Sequence, residues 1–213
     1  MDLEAPYPRF LSRGRCHVYL FPCRDRDLQK IGYARDPLAR LWSLHRRFFA
    51  FFDLERGALV ETATVREARA LERALHERYA DARTPAPLEA RELAAGEHEW
   101  FCGVEPGARV AMLQAAEERG LRFEPSLADW LRARLGDAHA ALWQWSERMA
   151  EAIEYERHNV PAELREGRAE RALWDALALC EALGLDAGTL VPGRVWAHYR
   201  APRADAGRAI ERR

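Results

Sequence analysis

The stretch that decides the fold is residues 18–40. It reads Val18-Tyr19-Leu20-Phe21-Pro22-Cys23, Arg24-Asp25-Arg26-Asp27, Leu28-Gln29-Lys30-Ile31-Gly32-Tyr33-Ala34 and, after Arg35, Asp36-Pro37-Leu38-Ala39-Arg40. Two short β-prone runs on either side of a polar loop are typical of an antiparallel hairpin. Asp36 and Pro37 are typical of a helix N-cap and a first helical residue. The sequence therefore predicts the order strand, strand, helix.

The length of the loop fixes the register of this hairpin. If residues 24–27 form the loop, Phe21 lies opposite Lys30, and Tyr19 is a diagonal neighbour of Lys30 on the same face. A phenol and an ammonium are then side by side, and Gly32 beyond them leaves room for a substrate backbone. The residues expected on the opposite, core-facing side are Val18, Leu20, Ile31 and Tyr33.

Lys30 is the only lysine in a chain whose lysines and arginines together number 33. An arginine-biased composition explains much of that ratio, so a single lysine that survived by chance is one interpretation. The other is functional, because a compact ammonium can lose its proton when desolvated and a guanidinium cannot.

These motifs resemble those of the GIY-YIG nuclease superfamily. Val18-Tyr19-Leu20 corresponds to the first motif, Lys30-Ile31-Gly32 to the second, and Arg40 follows Lys30 by the ten residues that the superfamily shows. Leu71-Glu72-Arg73-Ala74-Leu75-His76 matches the later helix that carries the metal-binding Glu. Glu99-Trp100-Phe101 is similar to the closing motif of the phage and bacterial branch that has Lys-Ile-Gly as its second motif.

The resemblance covers roughly residues 16 to 104 and implies a catalytic site. It implies that Tyr19 positions or deprotonates the attacking water, with Lys30 lowering the pKa of the phenol. It implies that Arg40 binds the phosphate and that Glu72 holds one Mg²⁺ or Mn²⁺ ion. His76 is a further catalytic candidate four residues after Glu72, on the same helix face; the alternative for His76 is a structural role.

Charge is distributed unevenly along a chain whose formal net charge is only −1. Residues 9–47 hold ten basic side chains against three acidic ones, a patch that would attract a phosphate backbone. The alternative is that these arginines form a solvated surface without a role in binding. The candidate nucleic-acid-binding residues in this stretch are Arg15, Arg24, Arg35, Arg46 and Arg47.

The cysteines do not form a close pair of the Cys-x-x-Cys kind, so zinc is not the first expectation. One set that remains open combines Cys16 and His17 with His98 and Cys102. The start of the chain has no basic, apolar leader, and no stretch approaches the length of a membrane span. We therefore expect a cytoplasmic protein with reduced thiols and no membrane partner.

The periodicity predicts an α+β fold: a small three-stranded antiparallel sheet flanked by helices, followed by an all-α helical hairpin region. The third strand is expected within residues 54–63, and Thr64 with Glu67 predicts a capping box on the next helix. We place a nuclease-like domain at residues 1–124 and a helical domain at residues 125–213, which ends in a basic tail from Arg194 to Arg213. The helices could also pair with a second copy and give a homodimer.

Two functions fit these patterns. The first is a metal-dependent nuclease that hydrolyses phosphodiester bonds in nucleic acid, with DNA as the expected substrate. The second is a catalytically inactive module that keeps the fold and binds nucleic acid or protein.

Overall fold

The computed structural model describes residues 15–90, 96 and 99–201. They divide into two compact units, one within Arg9–Ala138 and the other within His139–Arg213. The predicted boundary after residue 124 stays a prediction. Among the described residues, no helix has the length and hydropathy that crossing a membrane requires.

The first unit is built on an antiparallel sheet of five strands, not the three that we expected. In chain order the strands are β1 (Cys16–Pro22), β2 (Leu28–Ala34), β3 (Ala58–Thr62), β4 (Trp100–Cys102) and β5 (Arg122–Glu124). Their order across the sheet is β4-β2-β1-β3-β5. The two extra strands have three residues each, which is too short for a period-two pattern to reveal.

The hairpin register is the predicted one. Phe21 pairs with Lys30 and Tyr19 pairs with Gly32. Val18, Leu20 and Ile31 join the buried core on the opposite face, with Tyr33 packed against that core. The third strand begins at Ala58, later than expected, because residues 54–56 form a turn.

The described residues of this unit form five α-helices: α1 (Pro37–Leu44), α2 (Phe48–Phe51), α3 (Val65–Arg78), α4 (Glu105–Arg119) and α5 (Leu127–Asp137). The predicted caps are present. Asp36 accepts a hydrogen bond from the backbone N–H of Ala39, and Thr64 and Glu67 form the capping box. Gly120 ends α4 with a φ of 62°, a conformation that favours glycine. These local signals fix where α1 and α3 begin and where α4 ends.

Helices α3 and α4 cover the core face of the sheet. Ala68, Leu71 and Leu75 of α3 and Ala108 and Met112 of α4 pack into the same cluster as the apolar residues of β1 and β2. Glu72 follows Leu71 at the edge of this buried stripe. Glu72 is therefore partly buried.

The second unit consists of helices alone among the described residues. They are α6 (His139–Asn159), α7 (Arg168–Ala182), α8 (Ala187–Leu190) and α9 (Gly193–Arg200). Helices α6 and α7 contact each other, as predicted for a helical pair. The segment 194–200, which we took for part of a basic tail, is helix α9, and residues 202–213 of that predicted tail lie outside the described residues.

Candidate active site

The candidate site lies at the edge of β2, where its pairing with β4 ends. Strand β4 pairs with β2 only from Leu28 to Lys30. Just beyond, the backbone N–H of Ile31 donates to the carbonyl of Glu99 at 3.0 Å. Side chains from both faces of the sheet can therefore meet around Lys30, Ile31 and Gly32.

Tyr19 lies across Gly32, its partner in the register. A Cβ added to Gly32 would lie 2.4 Å from the Tyr19 hydroxyl oxygen and 2.7 Å from its Cζ. The missing side chain of Gly32 therefore makes room for the phenol. This corrects our interpretation that Gly32 leaves room for a substrate backbone.

Arg40 contacts the phenol from helix α1. Its Nε donates a hydrogen bond to the Tyr19 hydroxyl at 3.2 Å. The Arg40 side chain keeps 25% exposure, whereas Tyr19 is only 1% exposed. The guanidinium therefore lies between the buried phenol and solvent.

Lys30 is fully buried, and its Nζ lies 2.7 Å from Oε2 of Glu99. Oε2 of Glu99 is also 3.6 Å from Nη2 of Arg40. One carboxylate thus connects the buried ammonium to the partly exposed guanidinium. We quoted Glu99 only as part of a closing motif and assigned it no role. The signal that could have found it is the single lysine, because a buried ammonium requires a carboxylate partner.

The carboxylate of Glu72 is coupled to the same charges. The pKa of Glu72 is raised to about 7, chiefly by burial and also by the nearby carboxylate of Glu99, although the charges of Lys30 and Arg40 act in the opposite direction. The pKa of Lys30 is lowered to about 8, chiefly by burial, although the charge of Glu99 acts in the opposite direction. Two carboxylates and two cations therefore share one electrostatic environment.

The pKa of Tyr19 differs from our expectation. Burial raises the pKa of the phenol above its ordinary value, and Arg40, not Lys30, is the cation that most opposes this increase. Tyr19 therefore carries its proton at neutral pH in this structure. A neutral phenol that accepts a hydrogen bond from Arg40 can donate its own proton to a water or a phosphate oxygen.

His76 lies beside this cluster but faces the sheet backbone. Its Nε2 is 3.0 Å from the carbonyl oxygen of Ile31, and its ring packs on Phe101 with the centroids 5.2 Å apart. Burial lowers the pKa of His76, so the neutral ring donates to the carbonyl. The contact supports the structural alternative for His76.

The candidate nucleic-acid-binding arginines have separate environments. Arg15 forms an ion pair with Glu61, Arg24 donates to the carbonyl of Phe49 at 3.1 Å, and Arg47 lies over the ring of Phe49. Arg35, Arg46 and Arg47 follow the hairpin or α1, on the chain segments that flank Arg40, and Arg35 and Arg47 are exposed. A role of these arginines in binding stays a prediction.

Within the described residues, no three His, Cys, Asp or Glu side chains are grouped so that they could hold a metal ion together. The Cys16 and His17 set is not assembled there: Cys16 packs in the core, His17 belongs to the other face of β1, and His98 lies outside the described residues.

Residues 17–118 match the T5orf172 domain. The T5orf172 domain is a nuclease-related domain. The match runs from β1 to the last turn of α4, so it contains Tyr19, Lys30, Arg40, Glu72 and Glu99. Comparison with curated proteins and with solved structures found no match. The charged cluster at the sheet edge thus lies within residues that are similar to a nuclease-related domain.

Proposed function

We propose that residues 17–118, which match the T5orf172 domain, form a metal-dependent nuclease of the GIY-YIG type that hydrolyses phosphodiester bonds in DNA. The observation that carries this proposal is the convergence of Tyr19, Arg40, Lys30 and Glu72 on one edge of the sheet. Two strands and two helices contribute these side chains. Cleavage of a phosphodiester requires a positioned water and stabilisation of the negative charge that develops on the phosphoryl oxygens, and this cluster has groups for both.

Glu72 is the residue that would hold the metal. Its carboxylate is partly exposed, and no hydrogen bond or ion pair joins it to another described residue. A divalent cation would offset the repulsion from Glu99 that contributes to the raised pKa of Glu72. Mg²⁺ and Mn²⁺ prefer hard oxygen donors such as this carboxylate, and water and phosphate can fill the remaining coordination positions of the ion. When bound, such an ion supplies Lewis acidity and a more acidic water.

Arg40 is the residue that would bind the phosphate. It is the more exposed of the two cations in the cluster, and a guanidinium fits two non-bridging phosphate oxygens at once. The hydrogen bond from its Nε to Tyr19 and the ion pair of its Nη2 with Glu99 hold the guanidinium in place.

Tyr19 and Lys30 would act from below this surface. The Tyr19 hydroxyl keeps its proton and orients the attacking water or a phosphate oxygen by donating a hydrogen bond. The buried ammonium of Lys30 adds positive charge close to the reaction centre without contacting solvent. The five candidate arginines around the hairpin and α1 would bind the flanking backbone of the DNA.

One experiment separates cleavage from binding. The purified chain is incubated with plasmid, single-stranded DNA and RNA, each with Mg²⁺, Mn²⁺ or a chelator. The same is done with Glu72→Gln, Arg40→Ala and the controls Glu77→Gln and Arg73→Ala, which change exposed residues of α3. We expect metal-dependent cleavage of DNA that falls by about 100-fold or more in the first two variants and not in the controls.

Cleavage that persists in both Glu72→Gln and Arg40→Ala would indicate a contaminating nuclease and contradict the proposal. Binding that weakens steeply with salt, without any cleavage, would support a second candidate, a catalytically inactive binding module. The observation that favours this second candidate is the burial of Tyr19 and Lys30, which are 1% and 0% exposed. Dimerisation through the helical unit and a cytoplasmic location stay predictions.

A further inference from the structure

Glu99 contacts two of the four proposed site residues directly. Its Oε2 lies 2.7 Å from Nζ of Lys30 and 3.6 Å from Nη2 of Arg40. Arg40 in turn donates from Nε to the hydroxyl of Tyr19 at 3.2 Å. Glu99 therefore connects three of the four proposed site residues through one carboxylate oxygen and one guanidinium.

The backbone holds Glu99 at this position from both sides. Its carbonyl oxygen accepts from the N–H of Ile31 at 3.0 Å, and its own N–H donates to the carbonyl of Gly96 at 3.1 Å. Trp100, the next residue, pairs with Lys30 in the sheet, and its ring lies 5.2 Å from Nζ of Lys30. The carboxylate thus starts from a backbone fixed beside the ammonium that it contacts.

Gly96 shows how closely the chain passes this carboxylate. Its φ is 57°, and a Cβ at this position would lie 2.6 Å from the carboxyl carbon of Glu99. Both the left-handed conformation and the lack of space favour glycine. The backbone of Gly96 therefore lies directly against the carboxylate of Glu99.

The charge of Glu99 excludes a role as a phosphate ligand. A carboxylate repels a phosphodiester, and this one already accepts from a buried ammonium, whose separation from a counter-ion would be strongly unfavourable. We therefore expect Glu99 to affect the reaction through Lys30 and Arg40, the two cations that it contacts.

We propose that Glu99 is a positioning residue of the nuclease site: it keeps the Lys30 ammonium in place beneath the site and fixes the second side of the Arg40 guanidinium. This inference rests on the proposed function. Glu99 contacts neither substrate nor metal in this scheme. Its loss should slow the chemical step more than it weakens DNA binding, because the flanking arginines still bind the backbone.

The single lysine gives a direct test. Biosynthetic labelling with ¹³C-lysine yields one side-chain signal, because Lys30 is the only lysine. Titration by NMR without metal reports the pKa of Lys30 in the wild type, in Glu99→Gln and in the control Glu89→Gln. Glu89 is matched to Glu99 because it also pairs with a cation, Arg26, at 2.7 Å, but on the surface.

We expect the pKa of Lys30 to fall by about one unit or more in Glu99→Gln, since an ammonium that loses its carboxylate partner is harder to keep charged. It should not change in Glu89→Gln. In single-turnover cleavage, Glu99→Gln should lose about 30-fold or more in the maximal rate with a less than ~3-fold change in the half-saturating protein concentration. Affinity for Mn²⁺, measured by electron paramagnetic resonance, should stay within about 3-fold.

An unchanged pKa of Lys30 in a folded Glu99→Gln variant would overturn the proposal, as would a wild-type cleavage rate. A loss of Mn²⁺ affinity of about 10-fold or more would overturn it in favour of a metal ligand. If Glu99→Gln does not fold, Glu99→Asp shortens the side chain by one methylene and gives the same comparison with smaller changes. Absence of cleavage by the wild type would contradict the proposed function instead, and the titration would still show whether Glu99 holds Lys30.

Discussion

Lys30 and His17 are two buried polar residues on the same face of the sheet, and their environments are opposite. Lys30, 0% exposed, is paired with Glu99 at the open edge of β2. His17, 4% exposed, packs edge-on against Trp130 of α5, and its Nδ1 has no hydrogen-bond partner among the described residues. Burial lowers the pKa of His17 to about 4, so this ring is neutral, whereas Lys30, with a pKa of about 8, keeps its charge at neutral pH.

The difference shows where the fold retains charge inside. At the His17 end, burial outweighs the Glu61 carboxylate that lies 3.8 Å from Nε2, so the ring stays neutral and packs on Trp130. At the Lys30 end, the fold keeps an ammonium, a guanidinium and two carboxylates close together although burial disfavours each charged form. Such an arrangement is expected where the charges serve a reaction, so the Lys30 end is the candidate site and the His17 end is not.

The largest effect should come from Gly32→Ala. The added Cβ would overlap with the Tyr19 phenol at 2.4 Å and displace it from Arg40. We expect a loss of about 1–3 kcal/mol in the free energy of unfolding from overpacking. Cleavage should fall by roughly 100-fold because Arg40 loses its fixed partner. Urea unfolding and plasmid cleavage measure the two effects.

The control for that variant is Gly136→Ala in α5, where an added Cβ meets nothing within 4 Å. It should leave cleavage unchanged and keep or increase stability, as alanine does in a helix. A Gly32→Ala protein with normal stability and normal cleavage would show that the phenol does not need its position over Gly32.

The second prediction concerns the neutral end of the face. The pKa of His17 is lowered from 6.5 to about 4 on folding. As the pH falls below 6.5 the unfolded chain takes up a proton that the folded ring resists, so stability decreases until about pH 4. His17→Leu should remove this decrease, which is about 2–3 kcal/mol between pH 7 and pH 4.

Urea unfolding of the wild type and of His17→Leu across that pH range gives the difference. Cleavage near neutral pH should be the same for both proteins. Equal pH slopes for the two would show that the pKa of His17 does not change on folding, and the contrast with Lys30 would be lost.

The third prediction concerns Glu72, whose ionisation should make the fold less stable as the pH rises, the opposite of the effect of His17. Its pKa is raised from 4.5 to about 7, so without metal its charge destabilises the fold above pH 7 and has no effect below pH 4.5. Glu72→Gln should therefore increase the free energy of unfolding at pH 8 by about 1 kcal/mol, a value reduced for partial exposure. The increase should vanish at pH 4.

Thermal and urea unfolding without divalent ions measure this effect. Glu77→Gln, on an exposed face of the same helix, should show no such pH-dependent gain. A variant that is more stable but inactive would mark Glu72 as a residue kept for function. A loss of stability at pH 8 would instead mark its carboxylate as structural.

The smallest effects should come from the arginines that flank the site. Arg46→Gln and Arg47→Gln should each weaken DNA binding a few-fold at about 0.1 M salt and reduce the slope of affinity against salt by about one. The maximal cleavage rate should not change, because the proposed chemistry uses Tyr19, Lys30, Arg40 and Glu72, and these two arginines would contact only the DNA backbone. Arg73→Gln is the control. Equal losses of DNA affinity in Arg46→Gln, Arg47→Gln and Arg73→Gln would contradict a binding surface confined to the segment after α1.

Local signals made most of the first unit predictable. The four-residue loop at 24–27 gave the register of Phe21 against Lys30, and the capping box of Thr64 and Glu67 gave the start of α3. Both depend on residues close together in the chain. The ten-residue spacing from Lys30 to Arg40 led to a family resemblance, and residues 17–118 match a nuclease-related domain.

What the sequence could not show depends on contacts distant in the chain. Glu99 is 69 positions from Lys30, and only the pairing of β4 with β2 brings them together. The direction of the pKa shift of Tyr19 depends on burial of the whole ring, which a residue pattern does not contain. The three-residue strands β4 and β5 are defined by their partners rather than by their own composition.

The most direct test of the central claim is single-turnover cleavage of an end-labelled DNA duplex with excess protein, with Mn²⁺ or with a chelator. We predict that the wild type and Glu77→Gln cleave at the same rate only with Mn²⁺, and that Glu72→Gln is about 100-fold slower or worse while still binding the duplex. Equal rates for the wild type and Glu72→Gln, or cleavage by the wild type in the chelator, would contradict a metal-dependent site at the edge of β2.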